Sequence, residues 1–168
     1  MEKLLFVTTF LAILGAGLLA GNFFAFSAFL MTALGRLTPE RGITAMQAIT
    51  TAIRRPLFLV VFFGTATLCA ALSGAAVLDW SKPGACYLLA GSLFFLMGAF
   101  PVTMMRNLPL NARLARMTPD TKEGRELWKQ FQSSWGMWNH VRTVTSLATC
   151  ASFALALADT GNPFAVPR

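Results

Sequence analysis

Apolar and polar positions divide the chain into four long charge-free stretches separated by short charged segments. Leu4–Gly35 runs 32 residues without a charge, Pro56–Leu78 and Pro83–Met105 run 23 each, and Thr143–Ala158 runs 16. A helix needs about 20 mostly apolar residues to cross the ~30 Å hydrocarbon core of a bilayer. The first three stretches meet that length directly. The fourth is preceded by Phe131, Trp135, Met137, Trp138 and Val141, with His140 and Arg142 the only ionisable interruptions. The pattern predicts an all-α domain over 1–168, a bundle of four transmembrane helices. They are expected over about 4–35, 56–78, 83–106 and 138–158. The first apolar run is about twice the 7–15 residues of a signal peptide's apolar region, so it reads as an uncleaved span.

Two connections carry helix-start signals. Thr38-Pro39-Glu40 follows the first span and Thr118-Pro119-Asp120 follows the third. In each, Thr can cap, Pro suits the first helical position, and the acid favours the positive helix end. After the first, Ile43, Met46, Ile49 and Ile53 fall near one face, with Arg41, Thr44, Gln47 and Thr51 opposed. That predicts an interfacial amphipathic helix lying on the membrane. After the second, a helix is expected from near Pro119, running unbroken into span four and extending it into the cytoplasm. In span one, Gly17, Gly21, Ala25 and Ala28 form a small-residue strip. Such a strip lets a neighbouring helix approach closely. Flanked by Phe23, Phe24, Phe26 and Phe29, it is alternatively a slot for a planar apolar ligand. Pro109 lacks an amide hydrogen and disfavours helix at Leu108, so span three is expected to break there.

Composition agrees with this division: 55% of residues are hydrophobic and 12% charged, and mean hydropathy is +0.59. A soluble domain carries roughly 25% charged residues. Soluble enzymes, disordered tails and secreted disulfide scaffolds are thereby excluded. The first and third connections hold eleven of the fourteen Lys and Arg residues, and the whole net charge of +7 falls on that side. The positive-inside rule makes these connections cytoplasmic and puts both termini outside, in a plasma or inner membrane. The basic charge then suits anionic lipid headgroups, and a nucleic-acid partner is not expected. Cys69, Cys86 and Cys150 show neither metal spacing nor a disulfide framework.

The chemistry open to the chain is narrow. There is a single histidine, His140, and no span has an interior Asp or Glu. Metal clusters and proton-coupled transport both need such ligands or carboxylates, so no metal site is expected. What remains is a polar cluster at the cytoplasmic ends of spans three and four. It contains Asn107, Asn111, Trp135, Trp138, Asn139, His140 and Arg142. On a helix, Trp135, Asn139, Arg142 and Ser146 share one stripe, which Thr149 extends, and His140 projects about 100° from Asn139. One reading of these residues is an interfacial anchor, with tryptophans at headgroup depth and a snorkelling arginine. The other is a ligand site.

The set Gly21-Asn22-Phe23-Phe24-Ala25-Phe26-Ser27, Met46-Gln47-Ala48-Ile49, Asn107-Leu108-Pro109-Leu110-Asn111 and Trp138-Asn139-His140-Val141-Arg142-Thr143 resembles the anthrone oxygenase-like family of small four-helix membrane proteins. The resemblance covers about residues 5–158. It departs at Thr50, where the family pattern is expected to have Asn. It implies oxidation of an enolisable, planar apolar substrate by molecular oxygen with no added cofactor. Such chemistry needs a base, donors for an oxyanion and a flat apolar cavity. His140 is the expected base, with Arg142 and Asn139 stabilising the anion. Asn107, Asn111, Ser27, Trp135, Trp138 and Phe24 are expected to bind substrate. The alternative is a non-enzymatic membrane subunit or lipophilic-ligand binder whose polar cluster organises the membrane surface.

Overall fold

A computed structural model describes residues 2–53 and 55–160. Arg54 and Arg168, which contribute to the charge pattern, lie outside the described residues. Within them the chain forms α1 (Glu2–Gly35), α2 (Pro39–Ile53), α3 (Pro56–Leu78), α4 (Ala85–Ala115) and α5 (Lys122–Thr160). Four of these, α1, α3, α4 and α5, are long and apolar enough to cross a membrane. The all-helical, four-span reading of the sequence therefore holds.

The expected break at Pro109 does not occur, and α4 continues to Ala115. Its prolines are accommodated by widened π-helical turns over Phe94–Ala99 and Thr103–Asn107. In these turns Phe100 N–H reaches Phe95 O and Leu108 N–H reaches Thr103 O, five residues back. A proline in an α-helix lacks a donor and collides with the carbonyl four residues earlier. A wider turn just before Pro101 and Pro109 moves that carbonyl aside. A third π-helical turn, Phe26–Leu30, lies in α1.

At the basic end, α2 turns its apolar stripe into the protein. Ile43 and Met46 are buried in a core with Leu34, Leu114, Leu127 and Trp128. Gln47, expected on the polar side, instead donates from Nε2 to Leu114 O (2.9 Å) and Met117 O (3.0 Å). It thereby satisfies carbonyls at and just beyond the C-terminus of α4, which helix geometry leaves open. Glu40 at the start of α2 pairs with Arg125 of α5 at 3.3 Å.

The helix expected from Pro119 begins later, at Lys122. Thr121 Oγ1 accepts the Gly124 amide (3.0 Å), making Thr121 the cap, while Thr118 O accepts the Thr121 hydroxyl (2.9 Å) in the preceding turn. At the opposite end, Gly84 precedes α4 with φ 78°, a left-handed conformation that favours glycine. Its amide donates to Asp159 Oδ2 (2.6 Å), stapling the α3–α4 turn to the end of α5.

The inward face of α1 includes Thr9, Ala12, Ala16, Leu19, Ala20, Phe23, Phe26 and Leu34. Gly17, Gly21 and Ala28 are exposed, so within the chain the small-residue strip does not seat a neighbouring helix. It instead borders an outward apolar groove of about 750 Å³, with Leu14, Phe24, Leu147 and Cys150 among its walls. Close approach occurs elsewhere: an added Cβ at Gly98 of α4 would meet the Thr145 side chain of α5 at 2.6 Å.

Two apolar cores result. One contains Leu19, Phe62, Leu72, Phe95 and Phe153; the other contains Phe26, Met46, Leu114, Phe131 and Trp135. Along α5 the buried residues between Trp135 and Phe153 are all polar: Asn139, Arg142, Thr143, Ser146, Thr149 and Ser152.

Candidate functional site

This polar layer is organised by Asn139, which has no exposed surface. Its Nδ2 donates to Phe23 O (2.7 Å) and to Ser27 Oγ (2.8 Å). Its Oδ1 accepts from Arg142 Nη2 at 2.7 Å. Thr143 Oγ1 donates to Asn139 O (2.9 Å), one helical turn back. The hydrogen between Ser27 Oγ and Thr143 Oγ1 (3.0 Å) must then come from Ser27, because a hydroxyl has one hydrogen to give. Ser27 lies within the π-helical turn of α1. Sequence reasoning missed Phe23 and Thr143 as partners of this network. Their four-residue spacing from Ser27 and Asn139 was the available signal.

Arg142 is 5% exposed. The interfacial anchor with a snorkelling guanidinium therefore does not describe it. No carboxylate pairs with it among the described residues. An unpaired charge in a low-dielectric interior costs several kcal/mol. Partial compensation comes from Asn139 Oδ1 and from two ring faces. The guanidinium carbon lies 4.2 Å from the Phe23 ring centroid and 5.1 Å from that of Trp135. Each such contact contributes about 0.5–2 kcal/mol. Trp135 is in turn held by Phe26 edge-on (5.1 Å) and Phe131 stacked (5.9 Å).

α4 contributes Asn107, fully buried, whose Nδ2 donates to Trp135 O at 3.3 Å. Several enclosed polar atoms have no hydrogen-bond partner: Arg142 Nε, Trp135 Nε1, Asn107 Oδ1, Asn111 Oδ1, Ser92 Oγ and Ser146 Oγ. Each such group costs about 1–3 kcal/mol unless something pairs with it. The set offers N–H donors from Arg142 and Trp135 and carbonyl acceptors from the two asparagines.

The structure thus joins Arg142, Asn139, Ser27, Trp135 and Asn107 in one contiguous network. Asn111 is half-buried one turn beyond Asn107. Trp138 is half-buried beneath the Arg106 guanidinium, 4.9 Å from its ring centroid, and is separate from Arg142. His140 is exposed on the outer stripe of α5, between Met137 and Val144, and is not brought to Arg142. Phe24 is 55% exposed and lines the outward groove. Thr50 is buried on the same face of α2 as Ile43 and Met46. Among the described residues no three of His, Cys, Asp or Glu gather where a metal could be held.

Four apolar helices, three of which supply a buried cationic and amide cluster, define a small helical protein of integral-membrane type. The chain belongs to the anthrone oxygenase family, whose model, described as anthrone oxygenase, matches residues 58–152. That match contains Asn107, Asn111, Trp135, Asn139 and Arg142, whereas α1, which supplies Phe23 and Ser27, lies outside it. No curated protein and no solved structure matches the chain.

Proposed function

We propose that the protein is a membrane oxygenase that oxidises a planar, enolisable or phenolic apolar substrate with molecular oxygen at the Arg142 site. The observation that carries this reading is the enclosed guanidinium without a carboxylate partner, flanked by aromatic faces and partnerless amides. An activated methylene flanked by aromatic rings loses a proton to give an electron-rich enolate. That anion reduces oxygen, a carbon–oxygen bond forms, and loss of water from the hydroperoxide leaves a carbonyl. One methylene and one O₂ thus become one ketone and one H₂O.

Arg142 is placed to stabilise the oxyanion, a preorganised electrostatic role. Trp135 and Phe23 flank the rings, Asn107 and Asn111 offer acceptors to a phenolic hydroxyl, and Asn139 with Ser27 holds the guanidinium in place. His140 has no part in this arrangement. By the positive-inside rule, the proposed orientation has the basic end with α2 facing the cytoplasm and both termini outside.

The test is oxygen uptake by the protein in nanodiscs supplied with an anthrone, with quinone formation followed by absorbance. Wild type is expected to exceed empty nanodiscs by at least a hundredfold, and Arg142→Met to lose most of that excess. A wild-type rate equal to that of empty nanodiscs overturns the reading.

A further inference from the structure

The site contains a cation and hydrogen-bonding amides but nothing able to take a proton at neutral pH. α1 has no ionisable residue between Lys3 and Arg36. α3 offers only Cys69, which belongs to the apolar core with Phe62 and Leu72. From α4 the ionisable group nearest in sequence to Asn107 is Arg106, occupied over Trp138. From α5 they are His140, exposed on the outer stripe, and Cys150, whose thiol donates to Ile13 O at 3.7 Å. Asn139 has no spare capacity as a donor, since Nδ2 already serves two acceptors.

Resting on the reading above, we infer that the Arg142 site is an anion receptor without a base, and takes its substrate as the conjugate base of a weak organic acid. The acid surrenders its proton to water, giving hydronium and the organic anion. The anion then forms a neutral pair with the guanidinium, using Arg142 Nε and Trp135 Nε1, both enclosed and partnerless. Burial of the cation, unfavourable in the empty site, becomes the source of selectivity. A neutral isostere leaves Arg142 uncompensated, and a cation is repelled. Substrates are therefore selected by acidity as well as by shape, and no side chain needs a matched pKa.

Equilibrium dialysis against zwitterionic-lipid nanodiscs, with and without protein, tests this using anthracene-9-carboxylate and its neutral analogue anthracene-9-carboxamide at pH 7. Wild type is expected to bind the carboxylate at least tenfold more tightly. Arg142→Met and Arg142→Gln are expected to bring the two probes within twofold of each other, and Arg142→Lys to retain a severalfold preference. The double variant Arg113→Met, Arg116→Met, which removes surface charge, is expected to keep the wild-type preference. Equal binding by wild type, a preference that survives in Arg142→Gln, or one lost in the surface variant overturns the inference.

The missing base is tested separately, with two anthrones whose methylene acidities differ tenfold. The pH midpoint of oxidation should move with the substrate by about one unit. A midpoint common to both substrates overturns this part, and its loss in His140→Ala would make that residue the base. If no anthrone is oxidised, the oxygenase reading fails while the carboxylate preference still decides whether the site is an anion receptor.

Discussion

Two layers of the same bundle solve opposite problems. Around Phe62, rings stack and tilt against Phe58, Phe95 and Phe100 at centroid separations of 5.4–6.1 Å. Around Asn139 and Arg142, a charge and several partnerless polar atoms occupy equally buried positions. The first layer is assembled by dispersion and shape alone. The second loses stability by desolvation and recovers only part of it through hydrogen bonds and ring faces. Buried groups left unsatisfied in this way break the local rules of a stable core, and such breaks are expected at functional or strained sites.

This contrast can be broken most forcefully in the apolar layer. Phe62→Ala is expected to cost about 3–5 kcal/mol, from lost contacts and an unfilled cavity, read as a large drop in thermal midpoint in detergent. Arg142→Met should behave in the opposite way. Its midpoint should hold or rise, because replacing a buried charge by an apolar group of similar volume is commonly neutral or stabilising, while oxidation falls about a hundredfold. A large loss of stability in Arg142→Met would make the polar layer a structural element after all. Asn139→Ala is expected to show both effects in smaller measure. It removes the acceptor of Arg142 Nη2, costing about 1–3 kcal/mol, and loosens the guanidinium enough to slow oxidation about tenfold.

The smallest effect lies at the basic end. The Glu40 carboxyl is held below its ordinary value of 4.5, chiefly by a backbone hydrogen bond, and also by Thr38 and Arg125. A lowered folded-state value means a contribution present above the ordinary pKa and lost as pH falls through the folded one. Amide protection in α2, taken relative to the intrinsic exchange rate at each pH, should therefore fall only below about pH 4.5, and Glu40→Gln should remove that fall.

Much of this contrast was legible in the sequence, for physical reasons that differ by region. Charge-free runs located all four apolar helices because a charged side chain is costly in hydrocarbon. The stripe Trp135, Asn139, Arg142 and Ser146 followed from helical spacing, because polar residues on an apolar helix carry phase information. Span one carries almost none. It is apolar on every side, so periodicity could not tell that Phe23 and Phe26 face inward while Phe24 and Gly21 face out. His140 is expected as the base because it is the only imidazole in the chain, although helical spacing already turns it about 100° from Asn139. The break expected at Pro109 ignored the π-helical turn that precedes it, a feature of backbone register with no compositional signature.

α5 has a mechanical consequence. It is one uninterrupted helix of 39 residues, from the Thr121 cap to Thr160, about 58 Å long at ~1.5 Å per residue. The span of a bilayer accounts for roughly half of that length. Both halves of α5 are packed, Leu127, Trp128 and Phe131 in the core at the basic end and Phe153 in the other, and Asn139 and Arg142 lie near its midpoint. One continuous helix thus joins the two apolar cores and fixes the depth of the guanidinium between them.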